Sequence, residues 1–357
     1  MGCLDCCTSV WEKAKGIFKK CVGSSGDISC NGLVLKLHYR CSCLVMFIAF
    51  IAVCRSWLSR EVITCTSHFN AETQVRLDHI NICLSYPFVE EGEERRYILF
   101  YRWVSWSLIF LAAVFYIPRI LCRILDNGQC SSLLKELSTK ARCHKGQWHE
   151  LVETAAQYMR VNLNTHNGLY WKFLSVNLLA LFIDIFAIEF LDILLQGRFT
   201  HYGHRGFPYE RNATSFTDDF SQTFPPFVFC ELSSEHAVVS RRRERYGCHL
   251  TLMELYDRLF LFLWYWLVFL VVAASCYLVF VLVLWLPFVR ERLLRPAKPA
   301  IVEESLDVVV AGALSKCKLG DVYVLYRIKC LVSHAQFLDL LKQLSEARFL
   351  KDDTGCA

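Results

Sequence analysis

Between Arg258 and Arg290 the chain has no charged side chain; residues 259–289 form one run of 31 uncharged, mostly apolar residues. As a helix this run rises about 46 Å, against the roughly 30 Å of hydrocarbon in a bilayer, so it spans a membrane with tilt or overhang. Three further blocks repeat the pattern. Residues 103–118 lie uncharged between Arg102 and Arg119, the stretch from Cys41 stays apolar until Arg55, and residues 173–195 are apolar apart from Asp184, Glu189 and Asp192. At 100° per residue those three acids fall within a sector of about 140°, which faces neighbouring helices or an aqueous lumen and not lipid. The expected fold class is all-α: a four-span polytopic membrane protein, with spans at 41–60, 103–122, 173–195 and 259–289.

The connecting segments carry net charges of +3 (1–40), −2 (58–102), +3 (123–172), 0 (196–258) and +2 (290–357). Arg119, Arg123, Arg290, Arg292 and Arg295 sit near span ends on segments of one parity, which places both termini and the middle loop (123–172) in the cytoplasm. The loops 61–102 and 196–258 are then extracellular. The second contains the sequon Asn212-Ala213-Thr214, a candidate glycosylation site. The first holds Cys65 and Cys83 and the second Cys230 and Cys248, even counts suited to disulfides in an oxidising compartment. Four cysteines permit three connectivities. Bridges would stiffen loops too thin to build a large core, giving small folded caps.

With 54% hydrophobic and 14% aromatic residues, disorder is excluded, and 16 Gly with 8 Pro exclude a collagen-like chain. A net charge of +5 spread over 357 residues, without a dense basic helix, gives no footprint for nucleic acid. No apolar run of leader length occurs in the first forty residues, which argues against a cleaved signal. Cys3, Cys6 and Cys7 lack the second half of a four-ligand site, so no metal is expected. The sequence holds no nucleophile elbow, zinc-protease helix, P-loop or dinucleotide fingerprint, so neither an enzyme nor a cofactor is expected. On the cytoplasmic side, 147–163 has helical periodicity and 335–350 reads as an amphipathic helix through Phe337, Leu340, Leu341 and Leu344. Residues 322–326 read as a short strand or a buried helical turn. Residues 1–40 form the N-terminal segment, and 290–357 contribute with 123–172 to a helical dome.

Several stretches, in order, resemble one family. Leu33-Val34-Leu35-Lys36-Leu37-His38-Tyr39-Arg40 leads into the first span, and Ile63-Thr64-Cys65 opens the first loop. Phe100-Tyr101-Arg102-Trp103-Val104-Ser105 enters the second span and Phe115-Tyr116-Ile117-Pro118-Arg119 leaves it. Phe224-Pro225 precedes Cys230, Cys248-His249-Leu250 and Tyr256-Asp257-Arg258 follow, and Cys317-Lys318-Leu319-Gly320-Asp321 lies near the end. The chain resembles the innexins, the invertebrate gap-junction family related to the pannexins, with Tyr101, Trp103, Val104 and Pro118 as its signature positions. It departs from the family pattern at Arg102, Ser105, Thr251 and Met253.

The resemblance implies a gap junction channel or hemichannel subunit in the plasma membrane that passively conducts ions and small solutes. It also implies a homo-oligomer of eight subunits around one pore, docking to a second hemichannel, mixing with other innexins, and contact with membrane lipids. The amino terminus would fold into the pore, making Trp11, Arg55 and Glu61 pore-lining candidates. Pairing between the two loops is the preferred disulfide arrangement. The alternatives are an undocked release channel in one membrane, which a glycan on Asn212 would favour, and a non-conducting four-span adhesion or scaffold protein.

Overall fold

The structure is a computed structural model that describes residues 32–59, 62–67, 83–125, 132, 145–163, 165–205, 218–232, 244–295, 312–314 and 317–346. In chain order the helices are α1 (Leu33–Lys36), α2 (Ser42–Ser59), α3 (Val104–Leu125), α4 (Lys145–Val161), α5 (Asn167–Leu194) and α6 (Phe199–Arg205). Then come α7 (Asp219–Thr223), α8 (Met253–Val283), α9 (Pro287–Leu294), α10 (Leu319–Lys329) and α11 (His334–Glu346). A π-helical turn at Leu37–Cys41 fuses α1 to α2. That continuous run, with α3, α5 and α8, supplies four helices long and apolar enough to cross a membrane.

These helices do not follow the uncharged runs residue for residue. The first begins at Leu33, so Lys36, His38 and Arg40 are already helical. In α3 the helix continues past Pro118 to Leu125, although proline removes one hydrogen bond and crowds the carbonyl four residues earlier. The same effect ends α8. It starts at Met253, within the charged flank of Glu254, Asp257 and Arg258, and stops at Val283. Val283 is the residue whose carbonyl the Pro287 ring would strike in a continuing helix. Pro287 instead opens α9, where its missing N–H costs nothing.

The chain forms two compact units. The first comprises Cys41–Tyr116 and Leu181–Val272 and contains the only sheet among the described residues. The strands are β1 (Ile63–Ser67), β2 (Phe88–Glu91), β3 (Glu94–Tyr97), β4 (Phe227–Leu232) and β5 (Glu244–Leu250), in the antiparallel order β1-β5-β4-β2-β3. Aromatic and β-branched residues such as Ile63, Thr64, Phe227 and Val228 suit the strands. Gly92 at φ 67° makes the tight β2–β3 turn, a conformation side chains resist. The sheet adds to a mostly helical fold. Instead of two separate caps, the strands of the second loop sit in the middle and those of the first at both edges.

The second unit comprises Met1–Arg40, Ile117–Ala180 and Ala273–Ala357, and its described residues are helical wherever they are regular. Residues 322–326 are helical, within α10, and the C-terminal amphipathic stretch forms α11, which packs on α4. Arg160 on α4 donates to the Gln343 carbonyl at 3.0 Å. Leu35, Tyr39, Cys122, Val176 and Ala180 form a buried cluster, with the Arg119 guanidinium 5.1 Å above the Tyr39 ring. Lys329 closes the end of α9 by donating to the carbonyls of Leu293 (2.5 Å) and Arg295 (2.8 Å).

Candidate functional site

Cys65 on β1 stands directly opposite Cys248 on β5 and is bonded to it; Cys83 is bonded to Cys230 on β4. Both bridges therefore join one loop to the other. The sulfurs of Cys65, Cys83 and Cys248 lie within 4.8 Å of one another, so the bridges adjoin. Oxidised sulfur is not the thiolate a metal needs, and the cluster is a covalent brace. Ion pairs cross the same seam. Arg95 meets Glu231 at 2.5 Å, Arg245 meets Glu90 at 2.8 Å, and Arg198 holds both oxygens of Glu91 at 2.8 Å. Arg245 also stacks over the Phe229 ring at 3.9 Å. Exposed pairs such as Arg245–Glu90 contribute only about 0–1 kcal/mol each, so the covalent brace dominates.

Beneath the sheet, aromatic side chains tie it to the long helices. Trp57 on α2 donates to the Tyr256 hydroxyl at 3.1 Å, and Tyr256 donates to the Tyr101 carbonyl at 3.0 Å. The rings of Trp57 and Tyr101 lie nearly parallel, 6.1 Å apart, and the Tyr101 hydroxyl donates to the Leu84 carbonyl, beside the bridged Cys83. Burial pushes the Tyr101 phenol well above its ordinary pKa, so it remains a donor. Phe100, Tyr202, Phe220 and Phe260 all contact Phe224 or its neighbours at ring separations of 5.2–5.7 Å. On α6, a Cβ at Gly203 would overlap the Trp264 ring, so glycine alone permits this approach.

The polar residues on the spans separate by environment. On α2, Phe47, Ile48, Ile51, Arg55 and Leu58 are exposed, while Ser42, Met46, Ala49 and Val53 are buried. At 100° per residue the exposed set covers a sector of about 100° and the buried set lies opposite it. Arg55 is thus on the outward face of this chain. Asp184 is fully buried, Glu189 is exposed, and half-buried Asp192 accepts the Thr200 N–H at 2.7 Å. The three acids do not share one environment. Of the signature positions, Tyr101 and Val104 are buried, Pro118 is buried within α3, and Trp103 is 62% exposed. Trp11, Glu61 and Asn212 lie outside the described residues.

The helical unit has a polar centre that the sequence reading does not single out. His166 Nδ1 lies 2.7 Å from Asp321 Oδ1, with both side chains buried, and His166 Nε2 lies 3.3 Å from the Tyr158 hydroxyl. The other oxygen of Asp321 accepts the Lys318 N–H at 3.1 Å, and the Gly320 N–H donates to Asn167 Oδ1 at 3.0 Å. A Cβ at Gly320 would overlap the His166 backbone. The signal in the sequence is the acid three residues into α10, the spacing at which a side chain reaches back to the helix start. Its partner, a histidine just before a span, has no such local signature. Nearby, burial with Cys330 alongside pushes Tyr326 up to about 12, so this phenol stays neutral.

Four helices long and apolar enough to cross a membrane, with a sheet built jointly by two cross-bridged loops, define a four-span membrane protein. The Innexin family model matches residues 31–348. Among relatives, the chain is similar to Innexin inx2 of Drosophila melanogaster, 26% identical over 262 residues (72% of this chain, 69% of the relative). It is 22% identical to Innexin inx3 over 334 residues (88% and 84%) and 28% identical to Innexin inx4 over 312 residues (85% and 80%), both from the same organism. The chain belongs to the innexin family. It is a structural subunit of a gap junction channel or hemichannel that passes ions and small solutes, and the family localises to gap junctions in the plasma membrane. Innexins are channel proteins and not enzymes, and they act as oligomers.

Proposed function

We propose that eight copies of this chain surround one aqueous axis, with both termini cytoplasmic and the loops 61–102 and 196–258 outside. Two such rings then meet through their bridged sheets to form an intercellular pore, alone or mixed with other innexins. The supporting observation is the one-sided α2: its exposed face carries Arg55, a charge that is costly against lipid but acceptable in water. In this reading Arg55 faces the pore, and Trp11 and Glu61 complete its lining. Lipid covers the apolar outer faces of the other spans. The aromatic anchor at Trp57, Tyr101 and Tyr256 holds the outer end of α2 at a fixed height under the sheet.

Paired-cell recording of Arg55→Glu tests this. Reversing a pore-lining charge changes the cation-to-anion permeability ratio several-fold, while Arg55→Lys leaves the ratio near wild type. An unchanged ratio in Arg55→Glu channels of normal conductance would exclude Arg55 from the pore. Counting subunits in images of the purified particle tests the octamer; any other number contradicts it. The sequon at Asn212 supports a second reading, an undocked release channel. Removing the sequon with Asn212→Gln would then raise coupling between paired cells, whereas unchanged coupling rejects a glycan block.

A further inference from the structure

Two charge boundaries of the helical unit meet at one corner. After Lys172, residues 173–183 of α5 are uncharged, and the uncharged run that contains α8 stops at Arg290. Trp171 and Trp285 stand beside these boundaries, and their rings meet edge to face at 6.0 Å. The two helices therefore lose their apolar character at the same level. The Trp285 indole donates to the Tyr170 hydroxyl at 3.2 Å, and that hydroxyl donates to the Val281 carbonyl at 3.0 Å. These bonds hold the pair in place while both indoles stay exposed.

Between α8 and α9 the helix breaks, and Arg290 takes up carbonyls that the break sets free. Its Nε donates to the Leu284 carbonyl at 2.7 Å and its Nη2 to the Trp285 carbonyl at 3.1 Å. Both acceptors are neutral, so they leave the guanidinium charge uncancelled. On α9, Pro287, Phe288, Glu291 and Arg292 are exposed and Leu294 is buried. At 100° per residue the four exposed positions fall within about 140°, with Phe288 and Arg292 one turn apart on the same side. Phe288 continues an exposed apolar series through Val279, Leu282, Trp285 and Leu286. Lys172, next to Trp171, is exposed as well. Three basic side chains thus accompany this apolar wedge, against one acid, Glu291.

An apolar wedge flanked by basic groups, at the end of a helix of spanning length, matches the boundary between hydrocarbon and headgroups. Tryptophan gathers at that boundary because its ring is apolar and its N–H polar. We propose, on the reading that lipid covers the outward face of α8, that the α8–α9 corner and the start of α5 seat in the headgroup layer and bind anionic phospholipid. Trp171, Trp285, Leu286 and Phe288 enter the acyl boundary. Arg292 meets a lipid phosphate, which its forked N–H groups match in geometry and charge, and Lys172 and Arg290 add to the attraction. A second copy docked on this corner would press Glu291 and Arg292 against protein at a desolvation cost, whereas a leaflet takes the wedge and leaves Glu291 in water.

Photocrosslinking tests this on the assembled full-length protein, in nanodiscs of equal phosphatidylcholine and phosphatidylserine with the same acyl chains. One sample carries Phe288→benzoylphenylalanine; a second carries Val279→benzoylphenylalanine, which reports on the outward face of α8. Illumination should attach phospholipid at both positions, read by mass spectrometry of the labelled peptides. At the Phe288 position phosphatidylserine adducts should outnumber phosphatidylcholine adducts about threefold or more, and the excess should fall to near the disc ratio when Lys172→Gln/Arg292→Gln is added. Adding Lys172→Arg/Arg292→Lys instead, which keeps the charge, should preserve it. Lipid at the Val279 position alone, with the Phe288 position unlabelled or linked to another copy, overturns the proposal and leaves the reading of α8 intact. Absence of lipid at both positions overturns that reading together with the proposal. Adducts in the disc ratio without the Gln changes, or an excess that survives them, overturn the selection of anionic lipid.

Discussion

The disulfide-bonded unit and the helical unit both gather segments far apart in sequence, by different chemistry. In the first, bridges spanning 183 and 147 residues cross a sheet whose central strands come from one loop and whose edges come from the other. Exposed ion pairs decorate the seam, and an aromatic layer seals it to α2 and α8. In the second, no disulfide occurs among the described residues, where Cys122, Cys317 and Cys330 are thiols. Cohesion there comes from buried rings and from one polar centre, His166 with Asp321. In the first, covalent closure replaces a deep core. In the second, a buried polar pair specifies which helices meet.

The comparison breaks most sharply at Asp321. Asp321→Ala removes the partner of buried His166 Nδ1 and of the Lys318 N–H, costing about 1–3 kcal/mol for each group left unsatisfied. Hydrogen exchange should accelerate across α4, α10 and α11 while both bridges persist. Cys83→Ala acts on the other unit, with an expected loss of about 2–5 kcal/mol. Exchange should rise in β2, β3 and β4 while the helical unit keeps its protection, and a reductant, which opens both bridges, should extend the rise in wild type to β1 and β5.

Two glycines sharpen the contrast. Gly203→Ala meets the Trp264 side chain, which can shift, and should cost about 1–3 kcal/mol in thermal unfolding. Gly320→Ala meets the backbone of His166 and Asn167, which cannot shift cheaply, and should lower the midpoint more. The smallest effect is expected at the anchor. Tyr256→Phe removes one donor and one acceptor, about 0.5–1.5 kcal/mol, with the ring packing on Phe260 retained. Its signature is loss of protection at Trp57 and Tyr101 without loss of either bridge.

The four spans are legible in the sequence because the bilayer demands long uncharged runs, and such runs survive any local propensity. Their ends are less legible. Pro287 stops α8 inside the uncharged run, and Leu33–Lys36 is helical despite its lysine, because backbone stereochemistry sets helix ends and hydropathy does not. The sheet is nearly invisible. Glu94-Arg95-Arg96-Tyr97 has no apolar alternation, and it becomes a strand because Phe88–Glu91 pairs with it across Gly92. Pairing β1 with β5 joins residues too far apart for any local pattern to register. The cysteine placement marks the bridged region but leaves three connectivities open, and the structure selects one. His166 and Asp321 are found only when the fold brings α5 and α10 together.

The account stands most directly on the two bridges and their side of the membrane, which one measurement reads. Intact cells are treated with a membrane-impermeant reductant, new thiols are blocked, and peptides are mapped without further reduction. Untreated cells should yield Cys65 linked to Cys248 and Cys83 linked to Cys230, and treated cells should yield all four as blocked thiols. Links within a single loop, or bridges that survive the reductant only to open after lysis, would contradict the shared extracellular sheet.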